Sequence, residues 1–476
     1  MEIFDVAVIG AGSAGCALAS RLAMRTDLRI VLVEAGPDYG PQTSGSWPAD
    51  LVDAHHAPVS HDWDFDQSRA RVVGGCSVHN ECALVRAFPG DYDRWAIAGW
   101  TDSDLAPVVD DVARILPTIT CPDDELATWQ RVFLDTALAA GFPRLRDVND
   151  APGASGVGPF TQNIKDGLRW NASFAFLDAV RSQLTIIDNI LADRFVFEGD
   201  HASALIGRGL EGAREIRAKQ FVLCAGVYGS PAILLRSGIG PAYHLTELRI
   251  PIRSALPGVG ANLHDHPGVG FEYEPTAHAL RAAKKDVATG RFYEVQVVLK
   301  TRPDLHIIPY QTEDDAGLFS FGILAYYVNP RSRGSVRLTS RDPGELLAID
   351  LGLLNDPDGY DVSALTQGVQ LIHSLTRGSP LADSIKRGPR RFSSAMRHAR
   401  FIRDNITDYG HSVGTCRMGS SPEAGDVVDA CCRIHGQDNV FIADASIIPQ
   451  IPRANINFTC FVIGTRAADF LAYECG

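Results

Sequence analysis

The sequence predicts an α/β protein with two parts. A dinucleotide-binding, Rossmann-like domain is assembled from both chain ends, and a domain on a mixed or antiparallel sheet flanked by helices is inserted into it. Three observations lead there. The opening "DVAVIGAGSAGCALASRLA" joins a Val-rich strand to an apolar-periodic helix through closely spaced glycines. Near the other end, "VFIADASIIP" is again a strand running into a loop, with helix-like sequence beyond. Between roughly 273 and 400 the texture changes to strand-like runs, several with period-two alternation.

"FDVAVIG", the turn "AGSAG", "CALASRLAMR" and "LRIVLVEAG" read as a βαβ unit. Gly10, Gly12 and Gly15 form GxGxxG between the strand and the helix. The first glycine allows the turn, the second lets a pyrophosphate approach the backbone, and the third permits helix–strand contact. The helix N-terminus offers unpaired N–H groups to phosphates. Glu34 ends the second strand, where a carboxylate can accept from ribose hydroxyls. This unit alone does not separate FAD from NAD.

Farther on, "LTIIDNILADRFVFEGDHASALIGRG" predicts an antiparallel meander, and "KQFVLCAG" a third strand meeting glycine before the helix-like "YGSPAILLRSGI". The inserted part offers the strands "FYEVQVVL", "DLHIIPYQ", "GLFSFGILAYYV" and "GSVRLTS", with "VSALTQGVQLIHSLTRG" as a helix. "NFTCFVIGTRAADFLAYE" predicts a C-terminal helix. The expected division places 1–160, 176–272 and 405–476 in the dinucleotide domain, and 161–175 and 273–404 in the substrate domain.

The net charge of −13 and pI near 5.5 argue against nucleic acid as a partner. No apolar run reaches the roughly 18–20 residues of a membrane span, and the N-terminus enters a strand at once, so the expected location is cytoplasmic. Ten cysteines without a CxxC pair suit neither a zinc site nor a disulfide scaffold. "GGCSVHNEC", residues 74–82, nevertheless poses a choice between a metal site and a close-approach loop around a cofactor.

Six stretches occur in a telling order: "DVAVIGAGSAGCALASRLA", "RARVVGGCSVHNECALVRAFPGDYDRWA", "CAGVYGSPAILLRSGIGP", "LPGVGANLHDHP", "HSVGTCRMG" and "VFIADASIIPQIPRANINFTCFVIGTRAADFL". Together they resemble the glucose–methanol–choline (GMC) family of flavin oxidoreductases over nearly the whole chain. The resemblance implies FAD, a two-domain fold and oxidation of an alcohol CH–OH group. It aligns His411 with the family's catalytic histidine and Asn455 with the second catalytic position. A neutral imidazole can take the hydroxyl proton while hydride passes to flavin N5, and an amide can donate to the oxygen as charge grows. Ser412 stands where the family usually has proline, which leaves the local backbone less restrained. Asn455 also suits a helix N-cap.

By the same resemblance, Asp444 and Ala445 border the ribityl and pyrophosphate, and Ile456 and Asn457 lie along the isoalloxazine. Ser13, Ala14 and Ala35 flank the dinucleotide motif, and Val73, Gly75 and Asn80 approach the ring. "GGCSVHN" resembles the choline oxidases, in which the histidine aligned with His79 is bonded to the flavin. Covalent FAD through His79 and an unbonded histidine at the dimethylbenzene edge both stay open; zinc on Cys76, His79 and Cys82 ranks behind them.

The expected substrate is a small-molecule alcohol, and the acceptor is oxygen or an organic, quinone-like compound. Trp63, Phe65, Tyr310, Glu313, Phe319 and Tyr326 are candidates for a cationic pocket, although aromatic strand residues more often serve a core. The chain is short for the family, in keeping with trimmed lid or oligomerisation loops, and a homo-oligomer is compatible with it. The alternatives are a redox-silent, FAD-containing lyase of hydroxynitrile-lyase type and a non-enzymatic flavin-binding protein.

Overall fold

The computed structural model describes residues 2–149, 155–291, 293–314, 316–389 and 395–475. The first strand, Ile3–Ile9, runs into the helix Ser13–Arg25 and then the strand Ile30–Val33, whose four residues are all buried and apolar. Parallel pairing sets Ile30–Val33 on one side of the first strand and Gly212–Leu223 on the other. Val440–Ile442 extends the stack beyond Gly212–Leu223, so both chain ends do build one sheet.

The strand Gly212–Leu223 has two roles. Its second half lies parallel to the first strand, and its first half pairs antiparallel with His201–Gly209, which in turn pairs with Leu191–Glu198. The meander is therefore shorter than expected. Leu184–Ile187 leaves it and pairs parallel with Ile30–Val33 at the sheet edge. Edge strands are buried on one side only, so "LTII" carries the same alternation as a meander strand.

The inserted layer is a six-stranded antiparallel sheet. Its order is Thr407–Asp408, Pro267–Glu272, Phe319–Tyr327, Leu305–Glu313, Val297–Thr301 and Gly156–Pro159. Gly156–Pro159, Pro267–Glu272 and Thr407–Asp408 thus pair in this sheet from the far side of the expected boundaries at 160, 272 and 405. The helix Thr128–Ala139 also packs here rather than on the dinucleotide sheet. "GSVRLTS" forms only a short ladder, Ser335–Arg337 with Ala348–Asp350, and of "FYEVQVVL" only the last three residues are in a strand, Val297–Thr301, which runs on past the stretch. Phe292 in that run lies outside the described residues.

Period-two geometry gives this sheet two uses. Leu305, Ile307, Phe321, Ile323 and Ala325 face helices Thr128–Ala139 and Tyr360–Leu375 and form a second core. His306, Ile308, Tyr310 and Thr312, the alternate residues, turn toward the dinucleotide domain, and the last three line its cavity. The 20-residue C-terminal helix Ile456–Cys475 packs along Ser13–Arg25, with Phe458, Phe461 and Val462 buried between. No helix among the described residues is long and apolar enough to cross a membrane.

Gly464 is where those two helices touch most closely, since a Cβ there would lie 2.1 Å from the Ala14 carbonyl oxygen. Gly464→Ala should lower the melting temperature through an overpacking cost of roughly 1–3 kcal/mol. An unchanged melting curve would show that the helices do not approach so closely.

Candidate active site

A cavity of ≈ 780 Å³ lies between the two sheets. Its dinucleotide floor is backbone. Gly10 has φ +109°, and a Cβ there would sit 2.3 Å from the Cys224 carbonyl oxygen. Gly75 has φ +53°, and its Cβ would meet Gly12 Cα at 2.5 Å, so the two glycine loops close on each other. Gly10, Gly12, Ser13, Ala14, Glu34, Ala35, Gly75, His79 and Asn80 all line this cavity, together with Asp444, Ala445, Ile456 and Asn457. Two expected residues do not. Gly15 serves packing, because a Cβ there would lie 1.9 Å from the Gly10 carbonyl oxygen. Val73 is fully buried in the dinucleotide core.

The lining fits FAD. Glu34 accepts from the N–H groups of Ala11 (2.9 Å) and Gly36 (3.0 Å), and burial pushes its carboxyl up. Asp444 accepts from Gly226 N–H and Ser230 Oγ, which holds the third strand–helix turn against the C-terminal segment. Ser13 Oγ donates to Asn457 Oδ1 (2.6 Å) and so ties together the N-termini of both long helices. Asn457 Nδ2 is buried without a partner among the described residues. An orphaned donor beside two positive helix ends suits an electron-rich, phosphate-bearing ligand.

His411 and Asn455 meet on the opposite wall. Asn455 Nδ2 lies 3.2 Å from His411 Nε2, and His411 Nδ1 lies 3.0 Å from His266 Nδ1. His266 Nε2 is 3.1 Å from the Pro452 carbonyl oxygen, which can only accept, so this nitrogen carries the proton. Burial holds His266 neutral, lowered to about 3, so its Nδ1 is a lone pair. His411 must then donate from Nδ1, and its Nε2 lone pair faces Asn455 and the cavity. Burial, with His266, His306 and Arg69 adding to it, holds the His411 imidazole well below its ordinary pKa. The result is a neutral base with a fixed tautomer.

Asp265 anchors this base. It accepts from the backbone N–H of His411 (2.9 Å) and of His266 (2.7 Å), and from Ser412 Oγ (2.8 Å). Ser412 also meets Tyr228 OH at 2.9 Å. The residue that replaces the family's proline therefore restrains the loop by hydrogen bonds instead of a ring. Neither Asp265 nor His266 was singled out from the sequence, although "HDHP" held both. Arg453 fixes the loop carrying Asn455 through two hydrogen bonds to the buried Asp91.

His79 does not join a metal site, and among the described residues no three His, Cys, Asp or Glu side chains could hold one. Cys76 is exposed and lines the cavity, whereas Cys82 is buried in an apolar cluster with Ala54 and Ile164. His79 Nε2 donates to the Ser60 carbonyl oxygen (2.6 Å), and Nδ1 faces Ser68 Oγ at 3.4 Å. Burial lowers its pKa, so the ring is neutral.

Of the candidates for a cationic pocket, Trp63, Phe65, Tyr310 and Tyr326 line the cavity. Phe319 packs on the second core instead, and Glu313 is not among the lining residues. Tyr326 stacks on Tyr409 (centroids 3.9 Å apart), whose ring lies 4.1 Å from that of His411. Arg69 also lines the cavity; it donates to the Ser68 carbonyl oxygen.

A GMC oxidoreductase N-terminal family model matches residues 4–268, and its C-terminal partner matches 330–464. The oxygen-dependent choline dehydrogenase 1 of Chromohalobacter salexigens is 30% identical over 98% of this chain and 94% of its own. That alignment runs over 529 residues against 476 here, so the relative carries insertions where this chain is shorter. The 5-(hydroxymethyl)furfural oxidase of a Methylovorus species is 30% identical over 98% of both chains. Among solved structures, a pyridoxine 4-oxidase from "Mesorbium loti" superposes with a TM-score of 0.87 at 28% identity, covering 98% of this chain and 99% of its own. These relatives are oxidases and dehydrogenases, which gives a redox-silent lyase no support. The chain belongs to the GMC oxidoreductase family and is an FAD-dependent enzyme that oxidises the CH–OH group of an alcohol.

Proposed function

We propose that His411 is the general base of this oxidation and that Asn455 holds the reacting oxygen; the fixed Nε2 lone pair facing the cavity carries this reading. The substrate hydroxyl takes the place of the Asn455 amide at His411 Nε2 and lies beside both side chains. Nε2 accepts its proton, and the Nδ1–H bond to His266 lets the second imidazole share the positive charge. The N–H of Asn455 Nδ2 that faces His411 Nε2 turns to the substrate oxygen and donates to it while it is negative. When bound, FAD supplies the acceptor for the hydride that leaves the carbinol carbon, and an aldehyde or ketone remains.

The relatives' names span choline, 5-(hydroxymethyl)furfural and pyridoxine, so the alcohol step is common to them and the head group differs. Their "oxygen-dependent" and "oxidase" labels favour dioxygen as the acceptor here, to be read as hydrogen peroxide formed during turnover. We propose two domains that follow the sheets. The substrate domain then gains the helix Thr128–Ala139 and the strands Gly156–Pro159, Pro267–Glu272 and Thr407–Asp408.

For His79 we propose an unbonded contact with the cofactor. Nε2 is committed as a donor to the Ser60 carbonyl, so attack on an electrophilic carbon from that nitrogen would first have to break this bond and lose its proton. Acid precipitation should leave a colourless pellet and release FAD to the supernatant, while a yellow pellet would establish the covalent bond.

His411→Ala should slow anaerobic flavin reduction by roughly 10²–10⁴-fold. A near-normal rate would remove His411 from the base role. The reactive form is the neutral imidazole, and its folded pKa is lowered, so the active range extends downward. The acidic limb of kcat/KM should therefore fall well below pH 6.5, the ordinary histidine value. A limb at or above that value would contradict the buried, neutral base.

A further inference from the structure

Beyond Tyr409 the cavity wall carries two carboxyl groups that the alcohol step does not use. Glu81 follows Asn80 in the loop after His79, and Glu294 precedes the strand Val297–Thr301 of the inserted sheet. Both line the cavity, and burial with the like charge of the other raises Glu81, so the pair keeps one proton. Ala57 N–H donates to Glu294 Oε2 (3.1 Å), and His56 Nδ1 lies 3.7 Å from its other oxygen. The buried Arg169, held by the carbonyls of Asp53 and His56, faces the pair, as do Asp53 and the Tyr409 phenol. Glu294, Ile308, Tyr310 and Leu324 share this wall.

With that one proton, Glu81, Glu294 and Arg169 together carry no net charge. A cation that displaces the proton leaves that balance unchanged. A second observation also points to a donor-bearing ligand. Asn455 is only 9% exposed and lines the same cavity, yet its Oδ1 acceptor has no partner among the described residues.

We propose that the cavity takes an amino alcohol whose protonated primary or secondary amine sits between Glu81 and Glu294 and replaces the proton they keep. The displaced proton goes to solvent, and no covalent bond changes at this seat. An ammonium with N–H bonds satisfies both carboxylates. A quaternary ammonium has no N–H and would leave two desolvated acceptors unpaired. The proposal rests on the alcohol-oxidation reading of the same cavity.

The test uses the FAD-loaded enzyme. Anaerobic flavin reduction is measured for a series of ω-amino alcohols, for n-alkanols with the same number of heavy atoms, and for the N,N,N-trimethyl derivatives. At its optimal chain length the amino alcohol should exceed the matched alkanol in kcat/KM by about tenfold or more, the scale of a charge-assisted hydrogen bond. It should also exceed its trimethyl derivative.

Burial and the neighbouring Glu294 push Glu81 up to about 8, so the proton competes with the amine below that pH. An alkylamine stays protonated there, like lysine at about 10.4. The amino-alcohol preference should therefore rise about tenfold per pH unit until it levels near pH 8. Glu81→Gln should shrink the preference and abolish the rise, and Glu294→Gln provides the same reading if the first variant fails to fold. Alkanols or trimethyl derivatives that match the amino alcohols, or a preference independent of pH, would overturn the proposal. If simple alcohols bleach the flavin and amino alcohols do not, the amine seat fails while alcohol oxidation stands. If no alcohol bleaches it, both fail.

Discussion

A hydrogen-bonded row runs from the Pro452 carbonyl through His266 and His411 to the Asn455 amide, and the chemistry depends on its direction. A carbonyl oxygen cannot donate, so the proton on His266 Nε2 is settled, and each later position follows in turn. The row leaves the lone pair of His411 Nε2 as an acceptor at the cavity wall, where it takes the Asn455 N–H. Reversed, the same residues would present an N–H to the substrate and could not remove its proton.

The rest of the fold keeps this row in place and dry. Asp265 ties the backbones of His266 and His411 to one carboxylate, so the two imidazoles cannot drift apart independently. Ser412 joins that clamp and connects it to Tyr228, which belongs to the helix after the strand Gly212–Leu223. The inserted sheet spends one face on a hydrophobic core and turns the other, with Tyr326 stacked on Tyr409, toward the dinucleotide domain. Burial then sets charge states in opposite senses. It holds His266 and His411 neutral by lowering them, and it keeps a proton on the Glu81–Glu294 pair by raising Glu81. Two kinds of polar group thus work in one cavity at the same pH with different protonation.

The cofactor side follows a different economy, in which backbone replaces side chains. Where Gly12 meets Gly75, and Gly464 meets Ala14, even one methyl group would collide. These contacts let two helix N-termini converge on one floor, linked by Ser13 and Asn457. Dipoles and N–H groups fixed in this way would hold an electron-rich ring without reorganising.

Much of this was legible in the chain. The βαβ turn, Glu34 and the C-terminal helix depend on short-range pattern, and His411 and Asn455 sit in stretches that carry their own signature. Gly15 was legible as the helix–strand contact of its motif, which is the role it has, whereas Val73 was legible as part of a cofactor loop but not as a packing residue, because which side of a loop faces the ligand depends on what it packs against. "LTII" alternated like a meander strand and became a parallel edge strand for the same reason. The sequence by itself determined the nucleotide fold and singled out His411 and Asn455 as the proposed base and its amide neighbour. Only the tertiary structure decided which nitrogen of that imidazole carries the lone pair, what anchors it, and that Glu81 and Glu294 line one cavity. Those properties come from hydrogen bonds between residues as far apart as His266 and His411, 145 positions along the chain, and from desolvation, which no local stretch of sequence contains.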